Sequence, residues 1–399
     1  MDGKMDVARA RAETPGCAEV MHFNNAGAAL MPACVADAVR DHLALETRRG
    51  GYEAADAAHD ALEHFHDAGA ALLGCHRDEI AFIENATRAW DMAFYALPLQ
   101  PGDVILTCQA EYASNYIAYL QRARQTGAVV EAVPNDETGA LSLPALEEAL
   151  GRHGSKAKLV AITHVPTNGG LVQPAAQVGQ LARAAGVPYL LDACQSAGQM
   201  PLDVEALGCD MLSLTGRKYL RGPRGTGLLY VRRAMLPHLE PPFLDLHAAE
   251  WTARDAYEMR PDARRFENWE CFFAGKIGLG VAMDYARAWG LEAIQARNTI
   301  LANALRGALE AIPGVATHDL GAERCAITTF TVAGVEAGVI QSALAARNIN
   351  VSTTTTSGTR LDMETRGLDG MVRASVHYYN TQDEIDALAE TVAGLATGA

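Results

Sequence analysis

Short apolar runs recur between about residues 79 and 233. They are rich in Val, Ile and Leu, and several continue without polar interruption, as expected of strands that are covered on both faces. The runs are EIAFIENA, DVILTCQAEY, GAVVEAVP, KLVAITHVP, VPYLLDAC, DMLSLTG and GLLYVRR. This pattern predicts seven strands in this part of the chain.

Amphipathic segments separate these apolar runs. PALEEALGRHG and AAQVGQLARAAG have helical spacing of apolar residues, and the second ends on Gly186, a residue type that commonly follows the last turn of a helix. The alternation of strands and helices predicts an α/β fold with a large, mostly parallel, seven-stranded sheet.

The pattern changes after about residue 290. A long helical segment ends at Pro313-Gly314, and the order strand, helix, strand, strand, helix follows. We therefore expect a large α/β domain over residues 33–290 and a small α+β domain over residues 291–399. Residues 1–32 are expected to form an arm that packs on the small domain.

Composition and charge exclude several classes of function. The 399-residue chain has a net charge of −15 and no long basic run, so we expect no nucleic-acid partner. No apolar run reaches the length of a membrane span, and the first residues lack the apolar core of a secretory signal. Eight cysteines without a CxxC pair favour reduced thiols in a cytoplasmic protein and argue against a metal site.

The candidate chemistry lies at the ends of two apolar runs. Asp192 ends one run, and Lys218 follows the next. Ligands of open α/β sheets bind beyond the carboxyl ends of the strands. The pair suits pyridoxal 5′-phosphate, because a lysine forms a Schiff base with its aldehyde and a carboxylate keeps its pyridine nitrogen protonated. The alternatives are a helix cap for Asp192 and a solvated basic loop around Lys218.

A phosphate site is predicted where Asn85, Ala86 and Thr87 follow an apolar run and open a helix. Backbone N–H groups at the start of a helix bind phosphate. Simple capping of the helix by Asn85 or Thr87 is compatible with that role.

The segment from Leu190 to Arg233 resembles the cofactor segment of class V aminotransferases. Its pattern is Asp, two residues, Gln, then Thr-Gly-Arg-Lys and a Gly-Pro-x-Gly-x-Gly turn. The resemblance extends from HFNNAGAALMP to RASVHYYNT. It implies the fold-type I architecture of a family that includes cysteine desulfurases and C–S lyases, with pyridoxal 5′-phosphate as cofactor. It also implies an amino-acid substrate and a homodimer with shared active sites.

The resemblance implies roles for individual residues. Lys218 would carry the Schiff base and the proton, Asp192 would pair with the pyridine nitrogen, and Gln195 would bind the phenolic oxygen. The other expected cofactor contacts are Asn85, Ala86, Thr87, Thr215 and Arg217 at the phosphate, Tyr112 on the ring, and Thr167 or Asn168 near the phenolic oxygen. The expected substrate contacts are Arg373, Asn25 and Arg360, although the polar run that contains Arg360 also fits a surface loop. Trp269 and Glu270 lie in a loop that in this family reaches the neighbouring subunit, where the family commonly has Gly-Thr.

The sequence leaves several reactions open. Cysteine desulfurases accept sulfur on a small-domain cysteine, and this chain has none from residue 326 to 399. Cys325, at the start of an apolar run, fits a core position. We therefore favour a C–S lyase that acts by β-elimination on a cysteine derivative without a persulfide cysteine. A class V aminotransferase, an isopenicillin N epimerase-like racemase and a non-catalytic pyridoxal phosphate-binding protein are the alternatives.

Overall fold

The structure is a computed structural model that describes residues 5–397. Its strands are β1 (Met21–His22), β2 (Ile80–Ile83), β3 (Val104–Cys108), β4 (Val129–Val133), β5 (Ala157–Thr163), β6 (Tyr189–Asp192), β7 (Met211–Thr215), β8 (Gly227–Val231), β9 (Ala249–Ala253), β10 (Ala256–Met259), β11 (Val315–Thr317), β12 (Ile327–Val332), β13 (Ile349–Asn350), β14 (Ser352–Thr355) and β15 (Gly370–Ser375).

The α-helices are α1 (Val7–Ala12), α2 (Ala33–Arg49), α3 (Gly51–Ala57), α4 (His59–Leu73), α5 (Ala86–Phe94), α6 (Ala113–Thr126), α7 (Leu143–His153), α8 (Ala175–Ala185), α9 (Val204–Leu207), α10 (Phe273–Trp289), α11 (Leu291–Glu310), α12 (Ala337–Ala345), α13 (Arg360–Thr365) and α14 (Gln382–Thr397). Short 3₁₀ helices cover Pro15–Ala18, Arg77–Glu79, Gly154–Lys156, Arg233–His238 and Ala263–Phe266.

The large sheet has the strand order β2-β8-β7-β6-β5-β3-β4. The strands from β7 to β4 are parallel, and β8 runs antiparallel between β7 and β2. Each strand coincides with one of the seven apolar runs, which confirms the predicted α/β fold and its mostly parallel sheet.

Both faces of the large sheet are buried. Leu190 belongs to an apolar cluster with Trp90 and Met211, whereas the next residue, Leu191, belongs to another cluster with Phe65. Successive side chains of a strand point to opposite faces, so both sides of β6 need apolar residues. This explains why the run in the sequence is continuous.

A four-stranded antiparallel sheet follows later in the chain, with the order β11-β12-β15-β14. Its core includes Phe330, Ile340, Val372 and Ile385. The early strand β1 pairs in parallel with β13. The division into an arm over 1–32 and domains over 33–290 and 291–399 remains a proposal that these pairings support, and residues 1–4 and 398–399 lie outside the described residues.

The hairpin of β9 and β10 was not anticipated from the sequence. Most of its residues are exposed, so its strands lack the alternation of apolar and polar residues that marks a half-buried strand. The strands β1, β11 and β13 were also missed or merged with neighbours. They have only two or three residues each, and their pairing depends on distant partners.

Arg221 connects three parts of the chain. Its side chain is only 1% exposed and its φ of 61° lies in the left-handed region. The guanidinium donates to the Leu30 carbonyl over 2.8 Å and to the hydroxyls of Thr14 and Tyr378. Because the Arg221 amide bonds the Lys218 carbonyl over 2.9 Å, these contacts anchor the turn that carries the lysine.

We expect Arg221→Lys to lower the free energy of unfolding by about 2–3 kcal/mol, because one ammonium cannot reproduce the fork of the guanidinium and leaves buried acceptors unpaired. Urea unfolding followed by tryptophan fluorescence measures this. Arg347→Lys, at an exposed arginine paired with Glu390, is the control and should change stability by less than about 0.5 kcal/mol. Equal losses in the two variants would contradict the anchoring role.

Candidate active site

Three neighbouring parallel strands end at one edge of the large sheet. Thr163 ends β5, Asp192 ends β6 and Thr215 ends β7, and Thr163 pairs with Asp192 in the register of the sheet. Lys218 follows three residues after Thr215. The topology therefore brings the carboxylate and the amine to the same edge, as the spacing of the apolar runs predicts.

A cavity opens at this edge of the sheet, with about 510 Å³ of empty space that includes its open mouth. Its lining includes ten residues that the sequence predicted, namely Asn85, Ala86, Thr87, Tyr112, Thr167, Asp192, Gln195, Thr215, Arg217 and Lys218. Thr163, Val165 and Cys194 also line it and were not predicted. The sequence signal for Thr163 was its position at the end of an apolar run. The signal for Cys194 was its position between Asp192 and Gln195.

The start of α5 forms one wall of the cavity. The Asn85 side chain accepts a hydrogen bond from the Arg88 amide over 3.0 Å, so it caps the helix while lining the cavity. A Cβ atom at Gly227 would come within 2.9 Å of the Asn85 backbone. Glycine at that position thus lets the helix start approach the sheet.

Lys218 lines the cavity and is partly buried. Burial lowers the pKa of this amine, and the positive charges of Arg217 and Arg373 act in the same direction, while Cys194 and Asp192 oppose the shift. A lysine with a lowered pKa holds more neutral amine near pH 7. The neutral amine is the form that acts as a nucleophile or a base.

Asp192 is buried and held by two donors. One oxygen accepts from the Cys194 amide over 2.9 Å, and the other accepts from the side-chain amide of Asn115 over 3.0 Å. A carboxylate can accept about four hydrogen bonds. Asp192 therefore keeps acceptor capacity for a cationic N–H group in the cavity.

Gln195 has a free acceptor at the cavity. Its Nε2 donates to the Ala26 carbonyl over 3.1 Å and faces Thr167 Oγ1 at 3.4 Å. Its buried Oε1 has no hydrogen-bond partner within residues 5–397. Nearby, the Arg217 guanidinium donates to the Gly27 carbonyl, so residues 26 and 27 border the site.

Arg373 does not line the cavity itself but contacts Thr167, which does. Its Nη1 donates to the hydroxyl of Thr167 over 2.6 Å, and Nη2 reaches Ser352 Oγ at 3.4 Å. The buried Nε lacks a hydrogen-bond partner in the described part of the chain. Arg373 thus has donor capacity close to the cavity.

The structure does not bring the remaining three predicted residues to the cavity. Asn25 is fully buried and donates to two backbone carbonyls. Asn168 donates to Thr359 Oγ1 over 2.8 Å. The Arg360 side chain is 67% exposed and forms an ion pair with Glu364 on its own helix. The polar run around it forms strand β14 and the start of helix α13 instead of a surface loop.

The profile of the family described as Aminotransferase class-V matches residues 21–388. The chain belongs to this family. Members of the class V family are enzymes that depend on pyridoxal 5′-phosphate, and the present chain is accordingly an enzyme of this type.

Similar proteins agree with this assignment. A probable cysteine desulfurase of Methanothermobacter thermautotrophicus is 30% identical over 88% of this chain and 87% of its own. One of Xylella fastidiosa is 32% identical over 92% and 88%. The solved structure of a cysteine desulfurase from Thermococcus onnurineus superimposes with a TM-score of 0.91 at 27% identity, covering 99% of both chains.

The cavity at the edge of the large sheet suits pyridoxal 5′-phosphate. It combines a lysine of lowered pKa, a buried carboxylate with spare acceptor capacity, a helix start and the side-chain amide of Gln195, which can both donate and accept. These groups match the aldehyde, ring nitrogen, phosphate and polar substituent of the cofactor. Within residues 5–397 no cluster of His, Cys, Asp or Glu could hold a metal ion, and no helix is long and apolar enough to cross a membrane.

We expect Lys218→Met to raise the thermal midpoint of the cofactor-free protein at neutral pH, because it removes an amine that burial disfavours in its charged form. With a folded pKa below the unfolded value, the unfolded chain binds more protons, so wild-type stability rises with pH toward about 10.4. The difference between variant and wild type should therefore narrow as the pH rises.

Thermal melts at a series of pH values measure this difference. Lys158→Met, at an exposed lysine of β5, is the control and should show no such narrowing. If the difference in thermal midpoint between Lys218→Met and wild type widens as the pH rises, the pKa of Lys218 is not lowered.

Proposed function

We propose that this protein is a pyridoxal phosphate-dependent C–S lyase that cleaves the Cβ–S bond of a cysteine derivative by β-elimination. The absence of cysteine from residues 326–399 carries the proposal, because the resemblance places the sulfur-accepting cysteine of desulfurases there. Cys325 is 5% exposed in the core beside the four-stranded sheet, and burial raises its thiol pKa to about 12. Such a thiol is a poor sulfur acceptor.

The segment that would carry the desulfurase cysteine supports a lyase. Thr354 donates to the side-chain oxygen of Asn168, whose nitrogen donates to Thr359. The Gly358 carbonyl accepts from the Ala113 amide over 3.0 Å. The segment carries hydroxyl groups, and these hydrogen bonds hold it against the cavity side of the large sheet.

The proposed reaction needs one base and a good leaving group. The bound cofactor supplies an electron sink for a Cα carbanion. The neutral amine of Lys218 accepts the Cα proton, and the Cβ–S bond breaks with its electron pair leaving on sulfur. The sulfur product leaves as a thiolate or a sulfenate and takes up a proton to become a thiol or a sulfenic acid. The remaining three-carbon enamine reacts with water to give a keto acid and ammonia.

The other cavity residues would position the reactants. We assign Asp192 to the ring nitrogen, Gln195 to the phenolic oxygen and Tyr112 to the ring face. The proposed phosphate contacts are Asn85, Ala86, Thr87, Thr215 and Arg217.

Arg373 is the proposed partner of the substrate α-carboxylate, since a guanidinium can bind a carboxylate through two parallel hydrogen bonds. The free Nε of Arg373 and its contact with Thr167 support this role. Asn25 and Asn168 would act indirectly, by fixing the segments around the cavity.

A cysteine desulfurase is the second candidate, because the curated relatives carry that name. It would require a thiol near the substrate sulfur. Cys194 is the cysteine among the cavity-lining residues, and burial raises its thiol pKa well above the usual value. A neutral thiol beside Asp192 is a weak nucleophile, so we favour the lyase.

A substrate panel tests the proposal with S-alkyl cysteines, cysteine sulfoxides, cystine and cysteine. The lyase should release keto acid and sulfur product in equal amounts, with no sulfur bound to the protein by mass spectrometry. Lys218→Ala should lower the rate by roughly 10²–10⁴-fold, whereas Cys325→Ala should leave it unchanged.

Each alternative gives a different result in the same panel. Alanine with a persulfide on the protein would support a desulfurase. Keto acid that requires an amino acceptor would support an aminotransferase, and solvent deuterium at Cα without loss of substrate would support an epimerase. Bound cofactor without turnover of any substrate would support a non-catalytic pyridoxal phosphate-binding protein.

We also propose a homodimer with shared active sites in a reducing, cytoplasmic setting. Large apolar side chains are exposed around the β9–β10 hairpin and the loop that follows, a surface typical of a protein interface. They are Phe243, Leu246, Trp251, Tyr257, Trp269 and Phe272, with Tyr52 bordering the same groove as Phe272 and Glu270.

Light scattering after gel filtration tests the dimer. We expect wild type to elute as a dimer and Trp251→Ser combined with Tyr257→Ser to shift toward monomer, because these side chains are 78% and 52% exposed in the single chain. Ile300→Ser, at an exposed residue of α11, is the control and should remain dimeric. A monomeric wild type, or no shift in the double variant, would contradict the proposed surface.

A further inference from the structure

A buried glutamate lies directly behind the cavity. Glu111 follows β3, is 3% exposed and does not line the cavity itself. Its Oε1 accepts from the Tyr112 amide over 2.7 Å and from the Thr163 hydroxyl, and both of these residues line the cavity. Glu111 therefore supports two parts of the wall.

Asn115 joins Glu111 to Asp192. The same Nδ2 atom lies 3.0 Å from Glu111 Oε1 and 3.0 Å from Asp192 Oδ2. Because this nitrogen carries two hydrogens, it can donate to both carboxylates at once. The bridge fixes the side chain of Asp192 and places a second carboxyl group behind it.

The second oxygen of Glu111 also accepts two hydrogen bonds. Thr107 Oγ1 is 2.8 Å away and the Tyr119 hydroxyl is 3.2 Å away. No Lys, Arg or His within residues 5–397 forms an ion pair with Glu111. The carboxyl group is held by neutral donors alone.

We propose that Glu111 is a positioning residue, which holds Asp192 through Asn115 and Tyr112 through its backbone amide, and whose charge tunes the cofactor site. The inference rests on the proposed assignment of Asp192 to the ring nitrogen. An ionised Glu111 makes a positive charge beside Asp192 more favourable, because both carboxylates then attract the same N–H group.

Glu111 can change its charge near neutral pH. Burial raises its pKa to about 7, with the charge of Asp192 adding to the increase, while the donors Thr163, Asn115 and Thr107 lower it. The other titratable groups that face Glu111 are Cys108, Tyr119 and Tyr189, whose pKa values burial raises well above the usual ones. These three remain neutral over the range in which Glu111 titrates.

Glu111→Gln in the holoprotein tests the proposal, with the visible absorbance of bound pyridoxal phosphate measured from about pH 5 to 9 in the absence of substrate. Wild type should show a transition with a midpoint below the pKa of about 7 that Glu111 has in the cofactor-free chain, because a cationic ring nitrogen beside Asp192 favours the ionised carboxylate. The variant should lose this transition and bind the cofactor about tenfold more weakly, since its uncharged amide cannot accept from every donor. Glu147→Gln, at an exposed residue of α7, is the control and should match wild type.

Thr107→Val gives a second test that leaves the cavity lining intact. It removes one donor that favours the charged form of Glu111, so the midpoint should move to higher pH. If Glu111→Gln does not fold, this shift alone tests whether the absorbance transition reports the charge of Glu111. A transition that persists in Glu111→Gln, or a midpoint that Thr107→Val leaves in place, would overturn the proposal. Because the readout needs no substrate, a failed lyase assay would leave this result standing.

Discussion

The partial burial of the Lys218 amine near Asp192 is the constraint on which the rest of the site depends. A charged amine loses hydration energy when protein surrounds it, and the nearby Arg217 and Arg373 add repulsion. Asp192 offsets part of this cost but not all of it. The outcome is an amine that is more often neutral than an ordinary lysine, in a cavity whose other groups remain polar.

The geometry of the sheet makes this arrangement possible. Parallel strands end at a common edge, so Thr163, Asp192 and Thr215 are neighbours although they are far apart in the chain. The turn after β7 then has to be fixed, because a mobile turn would expose the lysine to water. Arg221 fixes it by joining the turn to the early segment and to Tyr378.

A network of hydrogen bonds lies behind the cavity wall. Asp192 and Glu111 are two buried acids joined by one amide, and no ion pair balances Glu111 within the described residues. Two carboxylates so close together influence each other strongly in a medium of low polarity. The polar network of the cavity therefore extends one layer deeper than its lining.

The sequence by itself determined the seven strands of the large sheet, because a strand that is buried on both faces needs a continuous apolar run. It also pointed to Asp192, Gln195 and Lys218, since their spacing matches a family motif, Asp192 ends such a run and the other two follow one. Only the tertiary structure decided which polar residues meet. Glu111 and Asn115 look like ordinary polar residues in the sequence, and the polar run around Arg360 left both a cavity position and a surface position open. The exposed hairpin likewise has no apolar alternation, because a strand that buries neither face in the chain itself is under no such constraint.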